Sequence, residues 1–361
     1  MCRIAPWLLL ALVTAAGADN DRFTRLMGWG GGEPDKVVPA MAEVGFTDIL
    51  VWQKDPAYLR KLVAAGQAHH VGVWVCVWLG DVKDWQRRYP GTPPPLQVMN
   101  DAENQAVERL RAEVKTHQTE YQYGGEPLAG HTEALLDDLL CPHQASVERL
   151  FEDQLRDIVE VPGLTGVAFD YFGYRNYRCC RCAHSQALLA DWRQAHPQLD
   201  EREASDRFSR DSLVGLCNRL SDYARFTRPG IQVSGHVYPV FLPEPLYGNQ
   251  LNWDLCGQTA AWFFEPFWSL EKITSYSRNI ASEAARYHSG ARGAGLIGIY
   301  LQPGRYAVKT PARIEQELRA LRDGGLTCVQ VCSVNDVLKD AAVREVFASW
   351  APRRSTAKQV P

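Results

Sequence analysis

Three observations predict a single (β/α)8 barrel, a TIM-barrel α/β fold. From Arg22 onward, apolar strand-like runs alternate with amphipathic helical stretches. The runs number eight, the count such a barrel needs. The 361-residue chain also exceeds the roughly 250 residues typical of that fold. Regular alternation implies parallel strands joined by helical crossovers. A doubly wound open sheet should carry G-x-G-x-x-G after an early strand. Gly30-Gly31-Gly32 lacks that spacing and the acidic residue that should follow, so no cofactor is expected.

The first strand is Leu26 to Trp29, and Pro34 to Val44 is a helix with Val37, Val38, Met41 and Val44 on one face. Phe46 to Trp52 is the second strand and Pro56 to Ala68 the next helix. Val71 to Trp78, VGVWVCVW, is a buried third strand rich in β-branched and aromatic residues. Alternation then stops. Residues 81–140 read as a long insertion between the third and fourth strands, with one polar helix near Ala102 to Glu120, and so as a lid or wall over the site. It resumes with a helical stripe of Val147, Leu150, Phe151, Leu155, Ile158 and Val159. Gly166 to Phe169 is the fourth strand, ending on Asp170.

Helices follow near 184–195 and 205–225, and Ile231 to His236 is the fifth strand. A polar helix is expected near Leu251 to Cys256 and the sixth strand over Ala260 to Phe264, ending on Glu265. A helix over Glu271 to Tyr287, a seventh strand over Gly295 to Gln302, and a helix over Pro311 to Arg322 come next. Leu326 to Cys332 is the eighth strand and Ala341 to Trp350 the last helix. The domain is thus expected over 19–350, with a loose tail at 351–361.

The first 18 residues read as a cleaved signal peptide. Arg3 opens them, Trp7 to Val13 is a short apolar core, and Ala16-Gly17-Ala18 fits a small-residue cleavage site. The run is too short to span a bilayer comfortably, so a secreted or periplasmic protein is expected, with no stable membrane insertion. Net charge is −3 and no basic stripe stands out, which argues against nucleic acid as a partner. Oligomeric state is not legible. Tryptophan is abundant, with 11 residues, and Trp and Tyr suit the apolar faces of sugar rings.

In a barrel the active site lies at the C-terminal strand ends. That rule selects Trp29, Trp52, Trp78, Asp81, Asp170, Tyr171, His236, Tyr238, Glu265, Trp268, Gln302, Asn335 and Asp336, with Tyr174 just beyond the fourth strand. The set is acidic, aromatic and amide-rich. It holds no exposed serine elbow and no H-E-x-x-H, so neither acyl transfer nor a catalytic metal is indicated. Glycoside hydrolysis needs two carboxyl groups flanking the scissile bond. Asp170 is the expected nucleophile and Glu265 the acid/base. The apolar flank of Glu265 should raise its pKa by desolvation. The other residues, with Asp81, should bind the carbohydrate. The bland alternatives are a cap or an Arg175 pair for Asp170, and a buried salt bridge for Glu265.

Of ten cysteines, Cys76, Cys328 and Cys332 lie in strand-like runs and read as core. Cys179, Cys180 and Cys182 sit in one polar loop. Three readings stand open: a disulfide, Cys179 with Cys182 or either with Cys141; a structural zinc held with Cys141 or His184; or free thiols.

The stretch LTGVAFDYFGYRNYRCCRC, with LLCPHQASVERLFEDQLRDIV before it, resembles bacterial glycosyl hydrolase-like proteins of TIM-barrel fold. In that group a "CP" segment and helix lead to a strand ending near DY-x-RYP. The resemblance implies a carbohydrate-active barrel with Asp170 at the group's acidic strand-end position. The chain departs from the group in having Gly173 where arginine follows DY, and Glu265 where an apolar or sulfur-containing residue commonly precedes Pro. A carboxylate pair on the fourth and sixth strands is similar to α-galactosidase-type barrels. The expected function is an exported, retaining glycoside hydrolase. The alternative is a carbohydrate-binding barrel without catalysis.

Overall fold

The computed structural model describes residues 22–105, 138–170, 173–176, 179–237, 250–261, 267–284, 290–301 and 308–353, and the backbone of 120–123 and 126–129. Eight parallel strands close a barrel. They are β1 (Arg25–Trp29), β2 (Asp48–Val51), β3 (Gly72–Trp78), β4 (Gly166–Asp170), β5 (Gln232–Val237), β6 (Leu255–Ala261), β7 (Arg292–Gly298) and β8 (Cys328–Cys332). Neighbours in sequence are neighbours in space, and β1 pairs β8 from Arg25↔Cys328 to Trp29↔Cys332 to shut the ring.

The connecting helices are α1 (Pro34–Val44), α2 (Pro56–His69), α3 (Val82–Arg88), α4 (Ala145–Val159), α5 (Ala183–Gln194), α6 (Glu201–Thr227), α7 (Leu270–Glu283), α8 (Pro311–Asp323), α9 (Val334–Lys339) and α10 (Ala341–Trp350). Local chemistry sets their ends. Pro34 opens α1 and Gly45 closes it at φ +98°, a conformation that glycine adopts without strain. Asp55, Asp81, Asp200 and Ser269 cap α2, α3, α6 and α7 by accepting backbone N–H bonds. The apolar stripe of α4 is buried as its spacing requires.

Three expectations are corrected. Leu255 and Cys256 belong to β6, not to a helix, and β6 ends at Ala261, before Phe264. Short side chains (Cys256, Gly257, Thr259, Ala260, Ala261) let this strand be buried throughout without the bulky apolar run that usually marks one. Likewise β7 runs from Arg292 to Gly298, so Gln302 lies beyond its end. Within 81–140, α3 precedes the expected polar helix, of which residues 101–105 are helical and 106–119 lie outside the described residues, and Glu120, its expected last residue, instead opens a two-stranded hairpin (120–123 with 126–129). Residues 1–21, which include the expected leader at 1–18, lie outside the described residues, as does most of the tail. No helix among the described residues is long and apolar enough to cross a membrane.

Successive strand residues face alternately outward to the helices and inward to the barrel axis. The outward set, including Ile49, Val51, Val73, Val75, Val77, Val167, Phe169, Val233, Ile297, Val329 and Val331, joins the helices in the main core. The inward set makes a second cluster of Met27, Trp29, Leu50, Trp74, Cys76, Ala168, Leu255, Ala294, Leu296 and Cys328. Polar groups interrupt this interior at two levels. At the base, Asp48 accepts two hydrogen bonds of 2.7 Å from Arg25 and a third of 2.7 Å from Trp74 Nε1. Arg25 also reaches across the barrel to Gln232 Oε1 at 3.1 Å, with its guanidinium 5.0 Å from the Trp74 ring. At mid-height Gln330 Nε2 on β8 donates to Ser234 Oγ on β5 at 3.2 Å. Two glycines make room for these large groups. A Cβ on Gly166 would collide with the Trp74 ring, and one on Gly257 with the Gln330 amide.

Asp48 is only 2 % exposed, so its removal strands a mostly buried guanidinium. Asp48→Ala is expected to cost about 3–5 kcal/mol in urea denaturation. Wild-type stability in that variant would show that the base network does not hold the barrel.

Candidate active site

The third, uppermost polar level is at the C-terminal strand ends. Asp170 ends β4 and pairs in register with Trp78, the last residue of β3. His236, the inward residue near the end of β5, brings Nδ1 to 3.4 Å from Asp170 Oδ1, a close contact longer than a good hydrogen bond. Its other nitrogen, Nε2, lies 2.7 Å from Thr259 Oγ1 on β6. Trp29 from β1 presents an edge to the imidazole, with ring centroids 5.6 Å apart at 86°. Trp52, beyond β2, stands T-shaped on Trp29 at 5.9 Å. Strand alternation alone thus delivers an acid, a histidine, a hydroxyl and two indoles from five strands to one place. Asp170 and His236 are 3 % and 2 % exposed.

Ion pairing separates Asp170 from the other buried carboxylates. Four are buried among the described residues: Asp48, Asp84, Asp170 and Glu317. Asp48 is held by Arg25, Asp84 by Lys54 and Arg87, and Glu317 by Lys309 and Arg313. Among the described residues Asp170 has no lysine or arginine partner. Arg175, the structural partner considered for it, pairs instead with Asp138 at 2.9 Å. Asp170 does not cap a helix either, since its backbone oxygen accepts from Leu79 N in the β3–β4 connection and its side chain stays inside the barrel mouth. Two thiols share this level. Burial pushes the Cys76 thiol well above its usual range, and the nearby Asp170 carboxylate adds to the rise. Burial pushes Cys332 up to about 11, and its sulfur lies 3.5 Å from Tyr300 Oη. Both are therefore protonated at neutral pH and unsuited to nucleophilic attack.

A cleft of about 420 Å³ opens at the ends of β2 and β3, lined by Trp52, Lys54, Cys76, Trp78, Asp81 and Arg87 among others. That volume suits a small-molecule site. Trp52 is 37 % exposed there, an apolar face available to a ligand. Lys54 and Arg87 are tied down by Asp84, with Lys54 Nζ 2.7 Å from Asp84 and 3.2 Å from Gln154.

Several expected site residues are placed elsewhere. Tyr174 is fully buried, donates to Ser209 O at 3.0 Å, and packs beside the cysteine loop, not in the cleft. Trp268 packs on α7, edge-on to Tyr276 with Lys272 over its ring, and is 8 % exposed. Asn335 belongs to α9, and its amide spends both ends on the backbone of Gly31, at 3.0 and 2.7 Å, clasping the β1–α1 loop. Asp81 lines the cleft but accepts from Lys83 N as the cap of α3. Asp336 pairs with Lys339 at 3.3 Å. Tyr171, Tyr238, Glu265 and Gln302 lie outside the described residues. Thr259 was the residue missed: with β6 read too late, nothing marked it as a strand end. Gln330, a lone amide inside the run CVQVC, was a visible signal of a polar interior.

The cysteine loop lies on the outer side of the same connection. All nine described cysteines are free in the structure, which therefore shows no disulfide among the described residues. Cys179 stands apart, with its N–H donated to Asn176 Oδ1 at 3.0 Å. Cys141, just before α4, has its sulfur 3.8 Å from that of Cys182. His184 is turned outward, its Nε2 3.1 Å from His143 O. Gln97 binds this region to the insertion, donating to Gly173 O at 2.8 Å and accepting from Arg175 N at 3.0 Å.

The sequence matches no family model and no curated protein. Solved structures share the fold. An α-L-fucosidase isoenzyme 2 from Paenibacillus thiaminolyticus aligns with a TM-score of 0.55 and 13% identity, over 90% of this chain and 48% of that one. A β-galactosidase from Rahnella sp. R3 gives 0.57 and 12%, over 92% of this chain and 57% of that one. One from Bacillus circulans sp. alkalophilus gives 0.57 and 11%, over 91% and 55%. At such identities the likeness is one of fold. This chain spans about half the length of these proteins.

Thr259→Val keeps the side-chain shape and removes the partner of His236 Nε2. It is expected to cost about 1–3 kcal/mol, because a buried ring nitrogen is left unsatisfied. Denaturation at neutral pH measures this, and an unchanged midpoint would mean the bond does not hold the imidazole.

Proposed function

We propose that this chain is an exported glycoside hydrolase that uses Asp170 and Glu265 as its carboxylate pair. One observation carries the reading: Asp170 is a buried carboxylate at the barrel mouth without a lysine or arginine partner among the described residues. Keeping such a group buried without a lysine or arginine partner costs folding free energy, which a purely structural role does not repay. Its position at the C-terminal end of a barrel strand is where barrel enzymes keep their chemistry. Solved structures that share the fold carry the names of an α-L-fucosidase and β-galactosidases, which adds an analogy at the level of fold.

In this reading the Asp170 carboxylate attacks the anomeric carbon while Glu265 protonates the departing oxygen. Water, deprotonated by the same glutamate, then releases the sugar and frees Asp170. Thr259 donating to Nε2 of His236 would leave the ring proton on Nδ1, facing Asp170 Oδ1. His236 then acts as a positioning residue that fixes the carboxylate and steadies its charge. Trp52 and Trp78 supply apolar faces for sugar rings beside the cleft. Export rests on the apolar leader with its small-residue cleavage site.

The test is reducing-sugar release from a broad glycan panel by the mature protein, beside Asp170→Asn and Glu265→Gln variants of equal melting temperature. Asp170→Asn is expected to lose at least about a thousandfold in rate, about 4 kcal/mol of barrier. Equal activity in that variant would remove Asp170 from the chemistry. No release by any form, with glycans still raising the melting temperature, would favour a carbohydrate-binding barrel.

A further inference from the structure

We propose that Cys141, Cys180 and Cys182 hold a structural zinc ion that locks the loop following Asp170 onto the barrel. The inference is independent of the hydrolase reading. The sulfurs of Cys141, Cys180 and Cys182 lie within 4.8 Å of one another. Three sulfurs converge, whereas a disulfide uses two. The 3.8 Å between Cys141 and Cys182 sulfurs is the edge of a tetrahedron built from bonds of about 2.3 Å, the usual Zn–S length. It is nearly twice the S–S bond of about 2.05 Å.

The surroundings suit thiolate ligands. Cys180 Sγ accepts from Val98 N, and Cys182 Sγ from Ser185 N, both at 3.4 Å. Cys182 is also the cap of α5, where a helix N-terminus favours negative charge. His143 brings Nδ1 to 3.8 Å from Cys141 Sγ. Its other nitrogen faces Tyr174 Oη at 3.3 Å, so the imidazole borders the sulfur cluster on the Cys141 side. The Ser185 hydroxyl lies among them, 2.6 Å from Nδ1 and 3.1 and 3.4 Å from the sulfurs of Cys182 and Cys141. It is placed to donate to a bound thiolate. Zinc uptake would release the thiol protons to solvent.

The three chain segments that meet here explain what the ion would do. Cys141 leads into α4, Cys180 and Cys182 close the loop after β4, and Val98 lies in the insertion. Backbone bonds already run between them, from Cys141 N to Pro95 O and from Arg181 N to Val98 O, each 2.8 Å. A metal would make this junction rigid and hold the loop that begins at the Asp170 strand end.

The experiment is metal analysis of the purified full chain, with intact mass and thiol titration under non-reducing conditions. About one zinc per chain is expected, with cobalt(II) replacing it to give sulfur-to-metal charge-transfer absorption. Stripping the metal with a chelator should lower the melting temperature by more than about 5 °C, restored by added zinc. Cys180→Ser and Cys141→Ser should each lose at least about tenfold in zinc affinity, while Cys217→Ser, a buried cysteine on α6, and His184→Gln keep it. A mass lower by two hydrogens with a Cys141–Cys182 bridge would overturn the proposal. So would free thiols that take up neither zinc nor cobalt. The wild-type cobalt spectrum decides the matter even if a variant fails to fold.

Discussion

Closure of the sheet between β1 and β8 is the constraint on which everything else in this molecule rests. Once the ring is shut, the two-residue alternation of each strand sorts its side chains into an outer layer under the helices and an inner stack along the axis. The outer layer is aliphatic and uniform. The inner stack is not. It rises from an Arg25–Asp48–Trp74 base through the Gln330–Ser234 bridge to the Asp170–His236–Thr259 level. Barrel interiors are more often filled with branched aliphatics. Here the polar steps join opposite or adjacent strands, and each requires a particular register to be met.

Asp48 and Asp170 make the electrostatic logic plain. Both are aspartates on inward-facing strand positions, and both are almost wholly buried. Asp48 sits in a cage of Arg25, Trp74 and Thr47 donors, and is satisfied. Asp170 has a histidine at 3.4 Å and indoles nearby. One position is built to be stable. The other is buried at the strand ends without a lysine or arginine partner among the described residues, and that difference in neighbours, more than residue type, sets the two positions apart.

The barrel was legible in the sequence because parallel strands are buried on both faces and announce themselves as continuous apolar runs. VGVWVCVW and the Gly166–Asp170 stretch are such runs, and the position of Asp170 at the end of one was readable. The β6 strand escaped because LCGQTAA achieves burial with small residues and an internal amide. Its displacement moved the expected strand end to Glu265 and hid Thr259. Asn335 and Asp81 had the right residue type at nearly the right place. Their side chains were already claimed by local backbone, Gly31 N–H and C=O for one and Lys83 N–H for the other. Tyr174 and Trp268 show that an aromatic near a strand end goes into whatever core adjoins it unless the loop carries it outward. The cysteine cluster was legible as a group, but its membership needed the fold, since Cys141 and Cys180 meet only when α4 and the β4 loop are set side by side.

The guanidinium of Arg25, spanning the base from β1 to Gln232 on β5, closes that end with charge and indole. The barrel is thereby a cul-de-sac. Its axis is stopped at the base by ion-paired and stacked groups, so the interior has one plugged end, and the Asp170–His236 level lies at the other, where the strands finish.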